Sequence, residues 1–273
     1  MYSIVLVLFF VSGLLAFVIN SYIFGGEKAT KNQFPFSVSL RKLENGIYVH
    51  DCGASIISDR FVLTAAHCYH SKLEIGDYRI AVGAHMRADQ GVLYSIERFI
   101  IHPNYEALHK ANDIALVQMN DPIRLNKNAK IIKIDRNFVG ENQTAIAVGW
   151  GESDDKYTGL KFARMKTISN DECRRRSIAQ APIKDNITLC AYSGPGTGIC
   201  KGDSGGALIH ENRIIGISSW GLPCARGFPD GFTRISEFTT WIDGFIKLSL
   251  FMEFPDSNQC ESRKTNLYYY WSK

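Results

Sequence analysis

Three side chains in this sequence have the types and neighbours needed for nucleophilic catalysis. His67 lies in Thr-Ala-Ala-His-Cys, Asp113 begins Asp-Ile-Ala-Leu-Val, and Ser204 lies in Gly-Asp-Ser-Gly-Gly. A serine hydroxyl becomes a good nucleophile when a base removes its proton, and histidine titrates near neutral pH. A buried carboxylate would orient the histidine and stabilise its imidazolium form. Each motif alone also fits a structural role, but the three together predict a Ser-His-Asp catalytic set.

The glycine-rich turn around the serine predicts a second catalytic element. The backbone N–H groups of Gly202 and Ser204 could point toward one position, where they would stabilise the oxyanion that forms when a serine attacks a carbonyl. The sequence contains no Cys-x-x-Cys and no His-Glu-x-x-His motif, which disfavours zinc. We therefore expect chemistry that needs neither a metal nor another cofactor.

Short strands separated by turn residues are predicted to position these side chains. Alternating apolar and polar residues predict strands at 36–42, 54–64, 78–84, 93–102, 114–119, 144–150 and 161–168. A hairpin is predicted at 206–220, turning at Glu211-Asn212-Arg213, and an amphipathic helix is predicted at 237–248. Many short strands without alternating helices favour an all-β barrel or sandwich.

Composition and the first residues indicate an exported globular protein. The 273 residues carry a net charge of only +4 and no long basic run, which argues against nucleic acid as a partner. Residues 2–19 form an uncharged apolar run, so 1–22 is predicted to be a signal peptide with a very short pro-segment; a membrane anchor is the alternative. Seven cysteines behind an export signal suggest disulfides, and Asn142 and Asn186 begin candidate glycosylation sequons.

The combined motifs resemble those of the chymotrypsin-fold serine proteases. The resemblance covers about residues 23–248 and rests on Ile-Phe-Gly-Gly, Thr-Ala-Ala-His-Cys, His-Pro-Asn-Tyr, Asp-Ile-Ala-Leu, Gly-Trp-Gly, Gly-Asp-Ser-Gly-Gly and Ser-Trp-Gly. It implies two antiparallel six-stranded β-barrels, with the active site between them, and a C-terminal helix. The second barrel would begin at about residue 127, and 249–273 would be an extension of unknown role.

The resemblance also implies disulfide pairs and an activation step. The pairs would be Cys52–Cys68, Cys173–Cys190 and Cys200–Cys224, which leaves Cys260 without a counterpart. Cleavage after Tyr22 would free Ile23 to pair with Asp203 and order the oxyanion loop. The family usually cuts here after a basic residue, so an activating protease with aromatic preference, self-cleavage or coupling to signal removal would be needed. Cleavage also severs the apolar segment, so we expect a secreted, extracellular enzyme without stable membrane association.

Substrate choice is predicted from five residues. Trypsin-like members of the family carry an Asp at the position that Gly198 occupies, while Ser219, Trp220 and Gly221 match the walls of the first specificity pocket. Asp230 falls where a pocket-lining glycine normally lies. This exchange resembles the arthropod brachyurins, the crab-collagenase-like proteases, and implies broad cleavage after basic and bulky apolar residues. Alternatively, Pro-Asp-Gly is a β-turn with a solvated carboxylate.

Two other functions are compatible with the sequence. The first is a catalytically idle serine protease homologue that acts as a binding or regulatory protein, although the intact His67, Asp113 and Ser204 argue against it. The second is a membrane-held, adhesive protein that uses its aromatic C-terminal tail as a contact. As a protease, the chain would act on protein or peptide substrates, with protein inhibitors as further candidate partners.

Overall fold

The computed structural model describes residues 25–153, 155–221 and 224–253, and these are built mainly of strands. In chain order, the strands are β1 (Glu27–Lys28), β2 (Ser37–Glu44), β3 (Ile47–Ile56), β4 (Phe61–Thr64), β5 (Tyr78–Val82), β6 (Val92–Ile101), β7 (Ala115–Met119), β8 (Lys133–Ile134), β9 (Thr144–Gly149), β10 (Lys161–Ile168), β11 (Thr188–Tyr192), β12 (Ala207–His210), β13 (Arg213–Gly221) and β14 (Asp230–Arg234). The helices are α1 (Asn170–Arg176), α2 (Thr239–Glu253) and short 3-10 turns at Ala66–Cys68, Ile75–Asp77 and Ile235–Phe238.

The first barrel closes in the order β2-β3-β4-β7-β6-β5. Side chains alternate between the two faces of a strand, so every second residue points into the barrel. Leu40, Ile80 and Leu116 are among these residues and are fully buried. The register pairs Thr64, the last residue of β4, with Ala115, the first residue of β7. The residues just after β4 and just before β7 therefore meet at one end of this barrel.

The predicted strand at 54–64 is wrong in one respect, because the structure divides it into β3 and β4. Residues 57–60 form a bend between the two strands. The hydroxyl of Ser58 accepts hydrogen bonds from the backbone N–H groups of Arg60 and Phe61, at 3.2 and 2.9 Å. A serine that satisfies the backbone locally competes with continued strand pairing, so the chain reverses at this point.

The second barrel is a ring of β9, β10, β11, β14, β13 and β12, and β12 pairs with β9 to close it. Leu189, Leu208 and Phe232 fill its interior. Outside the ring, β1 pairs with β10 and the short β8 lies parallel to β13. Two closed six-stranded barrels and a C-terminal helix confirm the predicted fold class.

Strand β11 and helix α1 were not among the predicted elements, and only the family resemblance, not the local pattern, indicated a strand at β14. β14 begins with Asp-Gly, a pair typical of turns, yet all five of its residues are buried. It pairs with β11 on one side and β13 on the other, so tertiary pairing overrides the local preference. Helix α1 is capped by the Ser169 hydroxyl, which accepts from the N–H of Glu172.

The predicted hairpin and final helix are present with shifted ends. Glu211 and Asn212 have φ values of 46° and 58°, as a two-residue type I′ turn requires, and β13 begins at the next residue. The 3-10 turn Ile235–Phe238 precedes α2, which continues through Glu253 into the region predicted as a tail.

None of the helices in the described residues has the length and apolarity to cross a bilayer. The predicted segment 1–22, Ile23 and Cys260 lie outside the described residues.

Candidate active site

The structure joins His67 and Asp113 by two hydrogen bonds. Nδ1 of His67 lies 2.7 Å from Asp113 Oδ2, and the backbone N–H of His67 donates to Oδ1 at 2.9 Å. A carboxylate can only accept here, so the Nδ1 atom carries the proton of a neutral His67 ring. The other nitrogen, Nε2, is then the one that can accept a proton. The pairing of β4 with β7 explains why residues so far apart in sequence meet.

Asp113 belongs to the first barrel but is held by the second. Its side chain is fully buried, the Ser219 hydroxyl donates to Oδ2 at 2.5 Å, and the Thr233 hydroxyl donates to the Asp113 backbone carbonyl at 2.8 Å. Burial alone would raise the pKa of the Asp113 carboxyl, but the hydrogen bonds from His67 and Ser219 outweigh it and hold the pKa below its usual value. Asp113 therefore stays ionised.

Replacing Ser219 by Ala is expected to lower kcat about tenfold, because a hydrogen bond to a buried carboxylate is lost. Loss of that donor also raises the pKa of the Asp113 carboxyl. Steady-state kinetics of the activated protein measures the effect. Ser218→Ala is the matched control, since the neighbouring hydroxyl is also buried but has no hydrogen-bond partner within the described part of the chain. Equal losses in both variants would contradict a specific role for the Ser219 hydroxyl.

Ser204 is fixed by backbone contacts to the first barrel. Its carbonyl oxygen accepts from the N–H of Gly53 at 2.7 Å, and the next residue, Gly205, donates its N–H to the Ser218 carbonyl at 2.8 Å. Gly205 has a φ of +75°, and a Cβ there would lie only 2.2 Å from the Thr64 hydroxyl oxygen. Only glycine fits, so this residue lets the nucleophile loop press against the chain that leads to His67.

The same loop presents the predicted oxyanion donors. Gly202 has a φ of +97°, a conformation that L side chains rarely adopt. In the part of the chain that the structure describes, the N–H groups of Gly202 and Ser204 have no protein acceptor. These two unpaired N–H groups, one of Ser204 itself and one of Gly202, can stabilise negative charge on a substrate oxygen.

The described residues contain three disulfides, and two of them brace the site. Cys52–Cys68 ties the residue after His67 to β3, and Cys200–Cys224 ties the nucleophile loop to the segment before β14. The third bond, Cys173–Cys190, links α1 to β11.

Cys52, His67 and Cys68 lie close enough together to suggest metal ligands. Both sulfurs are already bonded to each other, so this cluster offers no thiolate to a metal.

Asp203, the predicted partner of Ile23, is a buried acid inside the oxyanion loop. It is 1% exposed, and its two carboxylate oxygens accept from the N–H groups of Gly151 and Cys200 at 2.6 and 2.9 Å. Burial raises the pKa of Asp203 to about 6, against the opposing effect of these donors. Gly151 and neighbouring Gly149 are tightly packed, since a Cβ at either would lie 2.1 Å from an Asp203 oxygen.

Asp230 lies next to the other predicted pocket residues. It is 3% exposed and pairs in register with Gly221 across β13 and β14. A Cβ on Gly198 would lie 2.8 Å from Asp230 Oδ2, and one on Gly221 would lie 3.3 Å from Oδ1. A buried strand residue is not the solvated turn residue of the alternative interpretation. The two glycines leave room for the Asp230 carboxylate, whose Oδ2 accepts from the N–H of Ile199 at 2.9 Å.

The remaining predicted pocket residues lie on the strand beside Asp230. Ser219 and Trp220 occupy the end of β13, with the Trp220 ring packed on Gly231, where a Cβ would lie 2.0 Å from a ring carbon.

The predicted sequons also have a clear location. Asn142 and Asn186 are exposed and have positive φ values of 63° and 67°, so both lie in surface turns.

Sequence reasoning missed the side chains that support the oxyanion loop from the first barrel. His50 Nε2 lies 2.9 Å from the carbonyl oxygen of Gly202, and Nδ1 lies 2.8 Å from the Ser39 hydroxyl. Burial lowers the pKa of His50 to about 4, so the neutral ring donates from Nε2 and accepts at Nδ1. Neither residue belongs to a motif, and no local pattern signals a contact across 152 positions.

Two six-stranded β-barrels, a buried aspartate bonded to a histidine, and a glycine-turned serine loop packed against the chain that leads to that histidine are the features of a chymotrypsin-fold serine protease domain. The chain belongs to the trypsin family, because the family model described as Trypsin matches residues 23–242. Alkaline trypsin B of Manduca sexta is 35% identical over 231 residues, which cover 81% of this chain and 89% of the relative. Hypodermin-B of Hypoderma lineatum is 31% identical (82% and 87% covered), and trypsin-4 of Rattus norvegicus is 33% identical (81% and 88% covered).

Proposed function

We propose that this chain is a secreted serine endopeptidase that hydrolyses peptide bonds through an acyl-enzyme on Ser204. The observation that carries the proposal is the Asp113–His67 pair, with its proton on Nδ1, beside a serine loop that has two unpaired N–H donors. Membership of the trypsin family supports the same reaction. The chemistry needs no metal and no other cofactor.

In the first half of the reaction, Ser204 Oγ attacks the carbonyl carbon while its proton passes to His67 Nε2. The N–H groups of Gly202 and Ser204 hold the oxyanion, and the Asp113 carboxylate stabilises the imidazolium. The C–N bond then breaks, and the imidazolium gives its proton to the leaving amine. In the second half, water attacks the ester by the same route and regenerates the Ser204 hydroxyl.

The chain is made as a precursor and is activated by cleavage between Tyr22 and Ile23. Ionised Asp203 is costly in its buried position, and the new ammonium of Ile23 offsets that cost by pairing with it. An activating protease, or self-cleavage, supplies the cut. The apolar segment 1–22 directs export and is lost, which leaves an extracellular enzyme that acts on protein or peptide substrates.

Specificity is broad because the acidic residue of the first specificity pocket, Asp230, lies at the side of that pocket and not at its base. Asp230 can reach an Arg or Lys head group directly or through water, while Gly198 and Gly221 add no side chains of their own to the pocket and so do not exclude a large apolar guest. Neither class of residue dominates by the ~10⁴-fold that a dedicated polar pocket achieves. Inhibitors that present either kind of residue should bind this pocket.

Labelling with a fluorophosphonate separates an enzyme from an idle homologue. The activated chain is expected to form one adduct on Ser204, because the probe requires a serine activated by its base. Intact-mass analysis and peptide mapping measure the adduct, and Ser204→Ala is the control. An unlabelled chain that is folded and cleaved before Ile23 would favour the binding or regulatory alternative.

Cleavage preference is expected to change with pH. Burial raises the pKa of Asp230 well above its usual value, and the nearby Asp203 acts in the same direction. Asp230 therefore ionises at a higher pH than an ordinary carboxyl group, and ionisation favours basic over apolar guests. The ratio of kcat/KM for Arg and Phe substrates should rise at least about tenfold between about pH 5 and pH 9.

Matched peptides that differ only at the cleaved residue measure this ratio, in which pH effects common to both substrates cancel. Asp230→Asn is the control and should give a ratio independent of pH. A wild-type ratio that stays flat, or strict preference for Arg and Lys at every pH, would contradict the proposed pocket.

A further inference from the structure

Arg87 extends from the first barrel to the oxyanion loop of the second. It lies in the connection between β5 and β6, and its backbone is fixed on both sides. Its N–H donates to the Thr158 carbonyl at 2.7 Å, and its carbonyl accepts from Arg41 Nη2 at 3.0 Å. Arg41 itself is 1% exposed and donates further to the carbonyls of Tyr48 and Asp89. A buried guanidinium therefore holds the Arg87 segment in one place.

The side chain of Arg87 contacts two segments that surround Asp203. Its Nε donates to the Trp150 carbonyl at 2.5 Å. Its Nη2 lies against Gly202, since a Cβ on that glycine would be 3.2 Å from this nitrogen. Trp150 immediately precedes Gly151, whose N–H donates to Asp203, and Gly202 immediately precedes Asp203. The guanidinium thus contacts the two segments next to the Asp203 carboxylate, one at Trp150 and the other at Gly202.

Electrostatics agree with this arrangement. Asp203 is almost completely buried, and two cations of the described chain, Arg87 and Lys161, oppose the rise in its pKa that burial causes. Lys161 is already engaged with Asp155 at 2.8 Å, whereas the Arg87 guanidinium lies directly on the oxyanion loop. Arg87 is an internal residue of the folded chain, so its support does not depend on cleavage before Ile23.

We propose that Arg87 is a positioning residue for the oxyanion loop: its guanidinium holds Trp150 and Gly202 in place around Asp203 and so fixes the N–H groups of Gly202 and Ser204. It supplements the terminal ammonium of Ile23 with a cation that belongs to the folded chain. The inference rests on the proposed function, because it assigns Arg87 a part in transition-state stabilisation. Arg87 touches none of the reacting atoms itself.

The test uses the activated enzyme and a short chromogenic substrate with a small leaving group, so that contacts beyond the cleaved bond do not contribute. Arg87→Met is expected to lower kcat at least about tenfold with KM changed less than about twofold, since a displaced oxyanion donor acts in the transition state. Arg87→Lys keeps the charge but not the Nε donor, and its kcat should lie between those of wild type and Arg87→Met. Arg213→Met, at the exposed start of β13, is the matched control and should behave as wild type.

Hydrogen exchange of the Asp203 and Gly205 amides, which donate to the Cys200 and Ser218 carbonyls, provides a readout independent of turnover. Arg87→Met should exchange faster there than Arg213→Met, with unchanged protection in the core strands of both barrels. The proposal is overturned if Arg87→Met matches wild type in kcat and exchange, if KM rises as much as kcat falls, or if Arg87→Lys is no better than Arg87→Met. A wild-type enzyme without activity would defeat the proposed function instead, and the exchange comparison would still decide whether Arg87 holds the loop.

Discussion

Replacing Asp113 by Asn should lower kcat of the activated enzyme about 10⁴-fold with little change in KM. The Asp113 carboxylate accepts from His67 Nδ1, from the His67 backbone and from Ser219. An amide has one acceptor oxygen and one NH₂ group, so it cannot serve all three donors. The amide NH₂ would favour the ring form protonated on Nε2, and that form cannot take the proton of Ser204.

Burst kinetics with an active-site titrant measure the loss for each folded molecule. The chain offers a matched control in His70 and Asp51, which also form a histidine–aspartate pair with a 2.7 Å contact. Asp51→Asn should change kcat less than about threefold, because this half-buried pair lies outside the hydrogen bonds that hold Asp113. If Asp113→Asn retained more than about one tenth of wild-type kcat while folded, the role given to Asp113 would be wrong.

The second large effect concerns Asp230 and is a change in specificity. Asp230→Gly is expected to lower kcat/KM for Arg and Lys substrates by about 10²- to 10³-fold, because the buried partner of the substrate cation is removed. Cleavage after Phe, Tyr and Leu should be unchanged or faster. The Ile199 N–H loses its acceptor in this variant, so thermal unfolding must be measured beside the kinetics.

Moving the acidic residue from position 230 to position 198 provides a sharper control. Gly198→Asp alone should be strongly impaired, since its Cβ would lie 2.8 Å from Asp230 Oδ2 and a second buried negative charge would follow. Combined with Asp230→Gly, the same substitution should restore cleavage after Arg and Lys and reduce cleavage after Phe. Retained basic cleavage in Asp230→Gly, or no rescue in the double variant, would show that the acid recognising the substrate lies elsewhere.

The candidate catalytic residues can be picked out from the sequence because each is embedded in a short motif. The turn around Ser204 needs glycine at 205 for steric reasons, and that need is visible in the sequence. Strand β14 was harder, because Asp-Gly favours a turn and only pairing with β11 and β13 makes it a strand. The break between β3 and β4 was missed for a related reason, since the Ser58 hydroxyl stops the strand inside an apolar stretch.

Support for the site could not be predicted, because it consists of contacts between distant parts of the chain. The hydroxyl of Ser219 meets Asp113 across 106 positions, and the ring of His50 meets Gly202 across 152. Arg87 has no neighbouring residues that distinguish it from a solvated arginine. Such contacts depend on which barrel ends face each other, and no local periodicity encodes that.

The two ends of the described chain each attach to the opposite half of the molecule. β1 precedes the first barrel in sequence but pairs with β10 of the second. Phe238 and Trp241 follow the second barrel, yet both rings pack edge-on against His102, next to the strand that leads to Asp113. Each barrel is thus fastened by a terminus that sequence order would assign to the other. If the chain were cut between the barrels, each barrel would depend on the other fragment for the terminal segment that packs against it.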